Sequence, residues 1–229
     1  MPRAMNETER PAHPPRKRVA VLISGRGSNM MSLVEAARAP DYPAEICLVV
    51  SNRPDAAGLA WAKAQGIPAV ALDHKLYSDR AHFDGQLHAL LTASRIEIVA
   101  LAGFMRLLTA DFVAKWTGRM INIHPALLPA FKGLDTHARA LAAGVRIAGC
   151  TVHFVSAGVD EGAIIAQAAV PVLPADTPGT LAARILTSEH KLYPLALQLL
   201  AFGQVRLDGD QVWIDQKVNH KLALISPIP

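Results

Sequence analysis

Short, almost unbroken runs of Val, Ile, Leu and Ala alternate along this chain with segments of helical spacing. "RVAVLIS" (18–24) precedes "NMMSLVEAARA" (29–39), and "AEICLVVS" (44–51) precedes "DAAGLAWAKAQ" (55–65). "IPAVAL" (67–72) precedes "DRAHFDGQLHALLTAS" (79–94), in which Phe83, Leu87, Leu90 and Leu91 share one helical face. "IEIVALAG" (96–103), "TADFVAKW" (109–116) and "RMINIH" (119–124) continue the alternation. A strand that is apolar at every position, rather than at every second one, suits a sheet covered on both faces. Strands alternating with helices predict βαβ units, and so an α/β fold with a doubly wound, mostly parallel sheet.

After residue 144 the pattern changes. "IAGCTVHFVS" (147–156) and "AIIAQAAVPVL" (163–173) are two strands joined by the short turn "AGVDEG", and they are expected to pair antiparallel. "TPGTLAARILTSEHKLYPLALQLLA" (177–201) predicts one long amphipathic helix, with Thr177 as N-cap, Pro178 at N1 and a kink at Pro194. "QVRLDGDQVWID" (204–215) predicts a hairpin turning at Asp208-Gly209. With no internal repeat and no clear linker, the expected organisation is a flexible basic tail (1–17), one domain (18–203) and a C-terminal hairpin and tail (204–229) packed on that domain or extending from it.

A hydrophobic fraction of 51% against 18% charged residues is enough to build a sizeable core. No apolar run is long enough to span a bilayer, and the first residues lack the apolar segment of a signal peptide. A cytoplasmic protein without a membrane partner is expected. The net charge of +4 sits mostly in residues 1–18, where Arg3, Arg10, Arg16, Lys17 and Arg18 face only Glu7 and Glu9. The body is close to neutral, which argues against a nucleic-acid partner. Cys47 and Cys150 lie in apolar runs, outside any CxxC pattern, and are expected to be reduced and buried.

Three places could carry chemistry. "SGRGSNM" (24–30) joins the first strand to the first helix. Ser24, Gly25 and Gly27 let the backbone approach a ligand, and the helix start attracts an anion. It is not a dinucleotide fingerprint, since Met30 stands where a third glycine would be needed, and it is no Walker loop. A plain turn capped by Ser28 or Asn29 is the other reading. The second place is "MINIHP": Asn122 and His124, at i and i+2, share one face at the carboxyl end of a buried strand that Pro125 ends. Such a pair can transfer a proton and donate to an oxyanion. The third is Asp160 in "SAGVDEG", either an ordinary turn residue between Gly158 and Gly162 or, if the turn folds back, a carboxylate holding His124 protonated. His153 in "TVHFV" suits a supporting or satisfied core position, and His137 a helix start facing solvent. No HxxxH or HxH spacing appears, so no metal site is expected.

"VLISGRGSN", "SNRPDAAGLAWAKAQGIP", "LAGFMRLL", "INIHPALLPAFKG", "VHFVSAGVDEGAIIAQ" and "SEHKLYP" occur in that order. Together, over roughly residues 18–200, they closely resemble the folate-dependent phosphoribosylglycinamide formyltransferases of purine biosynthesis. The resemblance implies the Rossmann-like formyltransferase fold. It also implies small-molecule substrates, with 10-formyltetrahydrofolate as co-substrate and no metal, and a monomer or homodimer. Asn122, His124 and Asp160 are then catalytic. Gly27, Ser28 and Asn29 hold the substrate phosphate, and Glu189 contacts the glycinamide. Met105, Arg106, Leu107 and Leu108, with the turn carrying Val155, Ala157 and Gly158, line the pterin pocket. Ser24, Gly25, Pro125 and His153 support the site. Leu186 and Asp135 depart from the family pattern, where a polar or basic residue and a histidine are common.

The same Asn-His-Asp set serves other 10-formyltetrahydrofolate enzymes. Methionyl-tRNA formyltransferase carries an additional C-terminal domain, whereas only residues 202–229 follow the long helix here. Formyltetrahydrofolate hydrolase carries an N-terminal regulatory domain, whereas only residues 1–17 precede the first strand. Both comparisons favour the glycinamide acceptor. A non-catalytic phosphosugar-binding module would keep the glycine loop but would not need the three polar residues together.

Overall fold

The computed structural model describes residues 15–215 and 217. The sequence readings for residues 1–14, 216 and 218–229 lie outside the described residues. Strand β1 (Lys17–Ile23) shows how the alternation becomes a fold. Val19, Val21 and Ile23 enter one hydrophobic cluster, and Ala20 and Leu22 enter another on the opposite side of the sheet. With a side-chain period of two, a strand buried on both faces must be apolar throughout.

Beside β1 lie β2 (Ala44–Ser51), β3 (Ala69–Ala71), β4 (Ile98–Leu101), β5 (Met120–His124), β6 (Ile147–Phe154) and β7 (Ile164–Pro171). They form one sheet in the order β3-β2-β1-β4-β5-β6-β7. The first five strands pair in parallel; β6 runs antiparallel to β5, and β7 antiparallel to β6. Helices α1 (Ser28–Ala36), α2 (Ala57–Ala64), α5 (Thr136–Ala142) and α6 (Pro178–Ala201) contribute to the first cluster, and α3 (Arg80–Ala93) and α4 (Ala110–Lys115) to the second. The expected doubly wound sheet and its antiparallel end are therefore present. The winding reverses between β1 and β4, which opens a crevice beyond their carboxyl ends.

Helix α6 packs on β6 and β7 and against α1. Its start has the expected Thr177 cap, in a reciprocal box with Thr180. Arg184 holds Asp176 at 2.6 Å beside that cap. The helix runs on through Pro194, whose missing N–H leaves the His190 carbonyl without its usual partner. Buried Tyr193 donates from its hydroxyl to the carbonyls of Leu101 (2.9 Å) and Ile121 (3.2 Å), one in β4 and one in β5. That bridge fixes the rotation of α6, and Glu189, one turn earlier, meets Asn29 in the first turn of α1.

Four expectations are corrected. The sheet begins inside the proposed tail: the Arg16 guanidinium donates to the carbonyls of Ala44 and Ala37, and Lys17 pairs with Glu97 at 2.7 Å. These cations satisfy carbonyls and a carboxylate at the sheet's lower edge, so a solvated tail cannot include them. The hairpin β8 (Val205–Asp208) and β9 (Gln211–Ile214) turns at Gly209-Asp210, because Asp208 pairs with Gln211 and Gly209 takes φ +59°. It packs on the domain, with Val205 buried. Cys150 is buried, but Cys47 only half so, and both are free thiols. At α1 the cap is Gly27, as described next.

Candidate active site

The loop after β1 meets the segment after β4. Ser24 donates from Oγ to Asn52 Oδ1 (2.5 Å) and accepts from the Met105 backbone N–H (2.7 Å). Gly25 accepts from the Gly58 N–H at 3.1 Å. Gly27 takes φ +74°, a left-handed conformation that favours glycine, and α1 starts at Ser28 without any side-chain cap. Neither Ser28 nor Asn29 is the cap: both already lie within the helix. Asn29 Nδ2 is instead committed to Glu189 Oε2 at 2.6 Å. An uncapped first turn presents donor N–H groups with positive dipole character to the crevice.

At the end of β5, Asn122 is paired across the sheet with His153, and His124 with Thr151. The polar groups join in a chain. Asn122 Nδ2 lies 3.2 Å from His153 Nε2, and His153 Nε2 lies 3.7 Å from Asp160 Oδ1. Asp160 Oδ2 lies 3.2 Å from His124 Nδ1, and His124 Nε2 lies 3.0 Å from the Phe131 carbonyl. The turn thus does fold back, and Asp160 reaches His124. Asp160 itself sits at φ +53°, and its Oδ2 also accepts from the Gly133 N–H at 2.9 Å. Left-handed backbone is tolerated by Asp but strained, and such strain clusters at functional sites. Gly162 closes the turn, since a Cβ there would lie 1.7 Å from the Phe154 carbonyl oxygen.

Hydrogen placement follows from the partners. His153 Nδ1 lies 2.8 Å from the Phe154 carbonyl, which can only accept, so Nδ1 carries the hydrogen. Burial holds this imidazole below its ordinary range, and the neutral ring therefore offers Nε2 as acceptor to Asn122. That orients the Asn122 amide and leaves its second N–H without a partner among the described residues. His124, only 5% exposed, has acceptors on both sides: a carboxylate and a carbonyl. Both contacts are satisfied as hydrogen bonds only when both ring nitrogens carry hydrogen, as in the imidazolium. Glu189 is 6% exposed, and burial raises its carboxyl above the usual range, opposed by Asn29 and His124.

Not every expected residue points into the crevice. Met105 (66% exposed) and Leu107 (53% exposed) stand open beside it. Arg106 instead stacks on the Phe83 ring at 4.4 Å, and Leu108 packs on the second cluster. Val155 is half-buried against that cluster, while Ala157 is exposed and Gly158 half-exposed above Glu161. The side chains of "FMRLL" alternate inward and outward, so only half of the segment can touch a ligand. Leu186 is half-buried on α6, and Asp135 caps α5 at φ +55° without a side-chain bond. His137 is half-buried rather than solvent-facing, and its Nε2 has no partner among the described residues.

Four contributors escaped the sequence reading. Thr151 pins the loop after Pro125, donating to Ala126 O (2.7 Å) and accepting from Leu128 N (3.0 Å). The Phe131 carbonyl and Gly133 N–H, from the same loop, hold His124 and Asp160. Asn52 braces Ser24 from the end of β2. Period and motif carry no signal for backbone groups that arrive from a distant loop.

The chain belongs to the formyl transferase family, whose model matches residues 17–197. Among relatives that match over nearly their whole length is the phosphoribosylglycinamide formyltransferase of Haemophilus influenzae, 39% identical, covering 90% of this chain and 97% of the relative. The crystal structure of glycinamide ribonucleotide transformylase 1 from Symbiobacterium toebii superposes with a TM-score of 0.85 at 45% identity, covering 88% of this chain and 95% of that one. The human trifunctional purine biosynthetic protein adenosine-3 is 50% identical over 87% of this chain, which spans only 20% of that protein.

Proposed function

We propose that this protein transfers the formyl group of 10-formyltetrahydrofolate to the amine of phosphoribosylglycinamide, in purine biosynthesis. The observation that carries the proposal is the contact of Asp160 with His124 at 3.2 Å, beside the oriented Asn122 amide and the uncapped start of α1. The exposed apolar side chains of Met105 and Leu107 fit the flat ring system of a folate. The folate supplies the formyl group.

The chain's residues then have separable tasks. The N–H groups of Ser28 and Asn29, after Gly27, hold the phosphate and fix the acceptor amine at a distance from it. Glu189 and Asn29, tied to one another, meet the glycinamide portion. When the amine attacks, negative charge gathers on the formyl oxygen. The free N–H of Asn122 and the Nε2–H of His124, released from Phe131, donate to that oxygen. Asp160 keeps His124 charged and is placed to accept the proton that the amine gives up, directly or through water. The proposal sets these small-molecule steps in the cytoplasm, in a monomer or homodimer. No helix among the described residues is long and apolar enough to cross a membrane.

The test is an acceptor assay. Purified protein with 10-formyltetrahydrofolate and phosphoribosylglycinamide should yield formylated acceptor and tetrahydrofolate in equal amounts. Release of formate without formylated acceptor would refute the proposal and favour a folate deformylase.

A further inference from the structure

Residues 104–108 belong to no helix or strand, and among the described residues none of their backbone groups bonds to another backbone group. Yet Met105 and Leu107 stand exposed from this segment. An irregular backbone that holds apolar side chains open needs fixed anchors, since nothing in its own ladder restrains it. Side chains supply them. At one end Ser24 Oγ accepts from the Met105 N–H at 2.7 Å. At the other, Asp84 Oδ2 accepts from the Thr109 N–H at 2.7 Å. Between the two, the Arg106 guanidinium lies 4.4 Å from the ring of Phe83, the residue before Asp84 on α3. Asp84 is only 3% exposed, and its Oδ1 has no partner among the described residues. Burying a carboxylate is costly, so one that bonds a single loop N–H is not explained by the packing of α3.

We propose that Asp84 and Phe83 are positioning residues for the folate: Asp84 fixes the far end of segment 104–108 through the Thr109 N–H, and Phe83 fixes its middle through Arg106. Helix α3 packs in the second cluster, on the opposite side of the sheet from α1 and α6, so the pair acts on the segment from behind. The near end is tied to the glycine loop instead, because Ser24 also bonds Asn52. Losing Asp84 therefore releases one end only. The folate would then have to order the segment as it binds, and that ordering is subtracted from its affinity. The acceptor side and the contact of His124 with Asp160 share no hydrogen bond with α3, so they are left as they are. This rests on the reading of Met105 and Leu107 as folate contacts and adds to it the residues that set them in place.

The experiment measures KM for 10-formyltetrahydrofolate, KM for phosphoribosylglycinamide, kcat and melting temperature in wild type, Asp84→Ala, Asp84→Asn, Phe83→Leu and Leu91→Ala. Asp84→Ala strands the Thr109 N–H and should raise the folate KM about 5- to 100-fold, with acceptor KM and kcat at saturating folate within about twofold of wild type. Asp84→Asn keeps an acceptor oxygen for Thr109 and should bring the folate KM back to within about threefold. Phe83→Leu removes the ring under Arg106 but keeps an apolar side chain, and should raise the folate KM about 2- to 10-fold. It carries the test if Asp84→Ala does not fold. Leu91→Ala, two turns along α3 in the same cluster, should lower the melting temperature and leave the folate KM unchanged. An unchanged folate KM in Asp84→Ala and Phe83→Leu overturns this inference alone, and so does an equal rise in Asp84→Asn or in Leu91→Ala. A wild type that releases formate without formylated acceptor overturns the proposed function alone, and the folate KM of that hydrolysis then decides this inference by the same variants. A wild type that does not consume the folate overturns both.

Discussion

Replacing Asp160 by Asn removes one negative charge and almost no volume. The oxygen nearest His124 Nδ1, at 3.2 Å, also accepts from Gly133 N at 2.9 Å. An amide oxygen can take that same place and keep both bonds. The new NH2 group would then face His153 Nε2, 3.7 Å away, which is an acceptor in the neutral ring. Asp160→Asn therefore leaves the turn and the loop bonded and changes only the electrostatics. A unit charge pair at this separation is worth about 5 kcal/mol at an effective dielectric of about 20, before desolvation is subtracted. With part of that lost to desolvation of two nearly buried groups, about 3–4 kcal/mol remains where the imidazolium must be held, or about 10²- to 10³-fold in turnover. Steady-state kinetics should show kcat reduced by that factor and KM for both substrates within a few fold of wild type. A kcat within tenfold of wild type in a normally folded variant would refute the assignment of charge stabilisation to Asp160.

Other consequences can be measured separately. Gly162→Ala should destabilise the fold by about 3 kcal/mol or more in urea unfolding, because its Cβ would collide with the Phe154 carbonyl, whereas Gly25→Ala meets nothing within 4 Å and should leave the urea midpoint unchanged. Thr151→Val keeps the shape but strands the Leu128 N–H and the Ala126 carbonyl, so a loss of about 2–4 kcal/mol and faster amide exchange across residues 126–133 are expected. The His153, His137 and His190 rings are all held below the ordinary range, chiefly by burial. Their stability contribution is full above about pH 6.5 and is lost as pH falls through the depressed folded-state values, because the unfolded chain takes up protons first. The urea midpoint should therefore fall between pH 7.5 and 5.5, and His153→Gln should flatten that decline; an equally steep decline in the variant would count against a buried neutral His153. Glu189, raised by burial, works in the opposite sense, its contribution being fully present below about pH 4.5 and lost as pH rises through its folded-state value, so Glu189→Gln should steepen the acid-side loss.

Local pattern determined a good deal about this protein. Apolar runs such as "RVAVLI" and "IEIVAL" required strands covered on both faces, and the helical segments between them required parallel crossovers. Thr177 and Pro178 marked the start of α6 because capping is a matter of neighbouring residues. Asn122, His124 and Pro125 were legible as the polar end of a buried strand, since a polar pair at i and i+2 interrupts the apolar run. The boundary at Lys17, the inward turn of Arg106 and the Gly27 cap were not legible. Each depends on a partner remote in sequence: Ala44 and Glu97, Phe83, and the packing of α2 and α6 against the glycine loop. The same holds for the centre of the site. Whether Asp160 was a turn residue or the partner of His124 was decided by the antiparallel pairing of β6 with β5 and by the backbone of residues 131–133 arriving from another loop. Secondary structure follows from interactions a few residues apart, whereas the contact between His124 and Asp160 exists only once the sheet has fixed where both strands end.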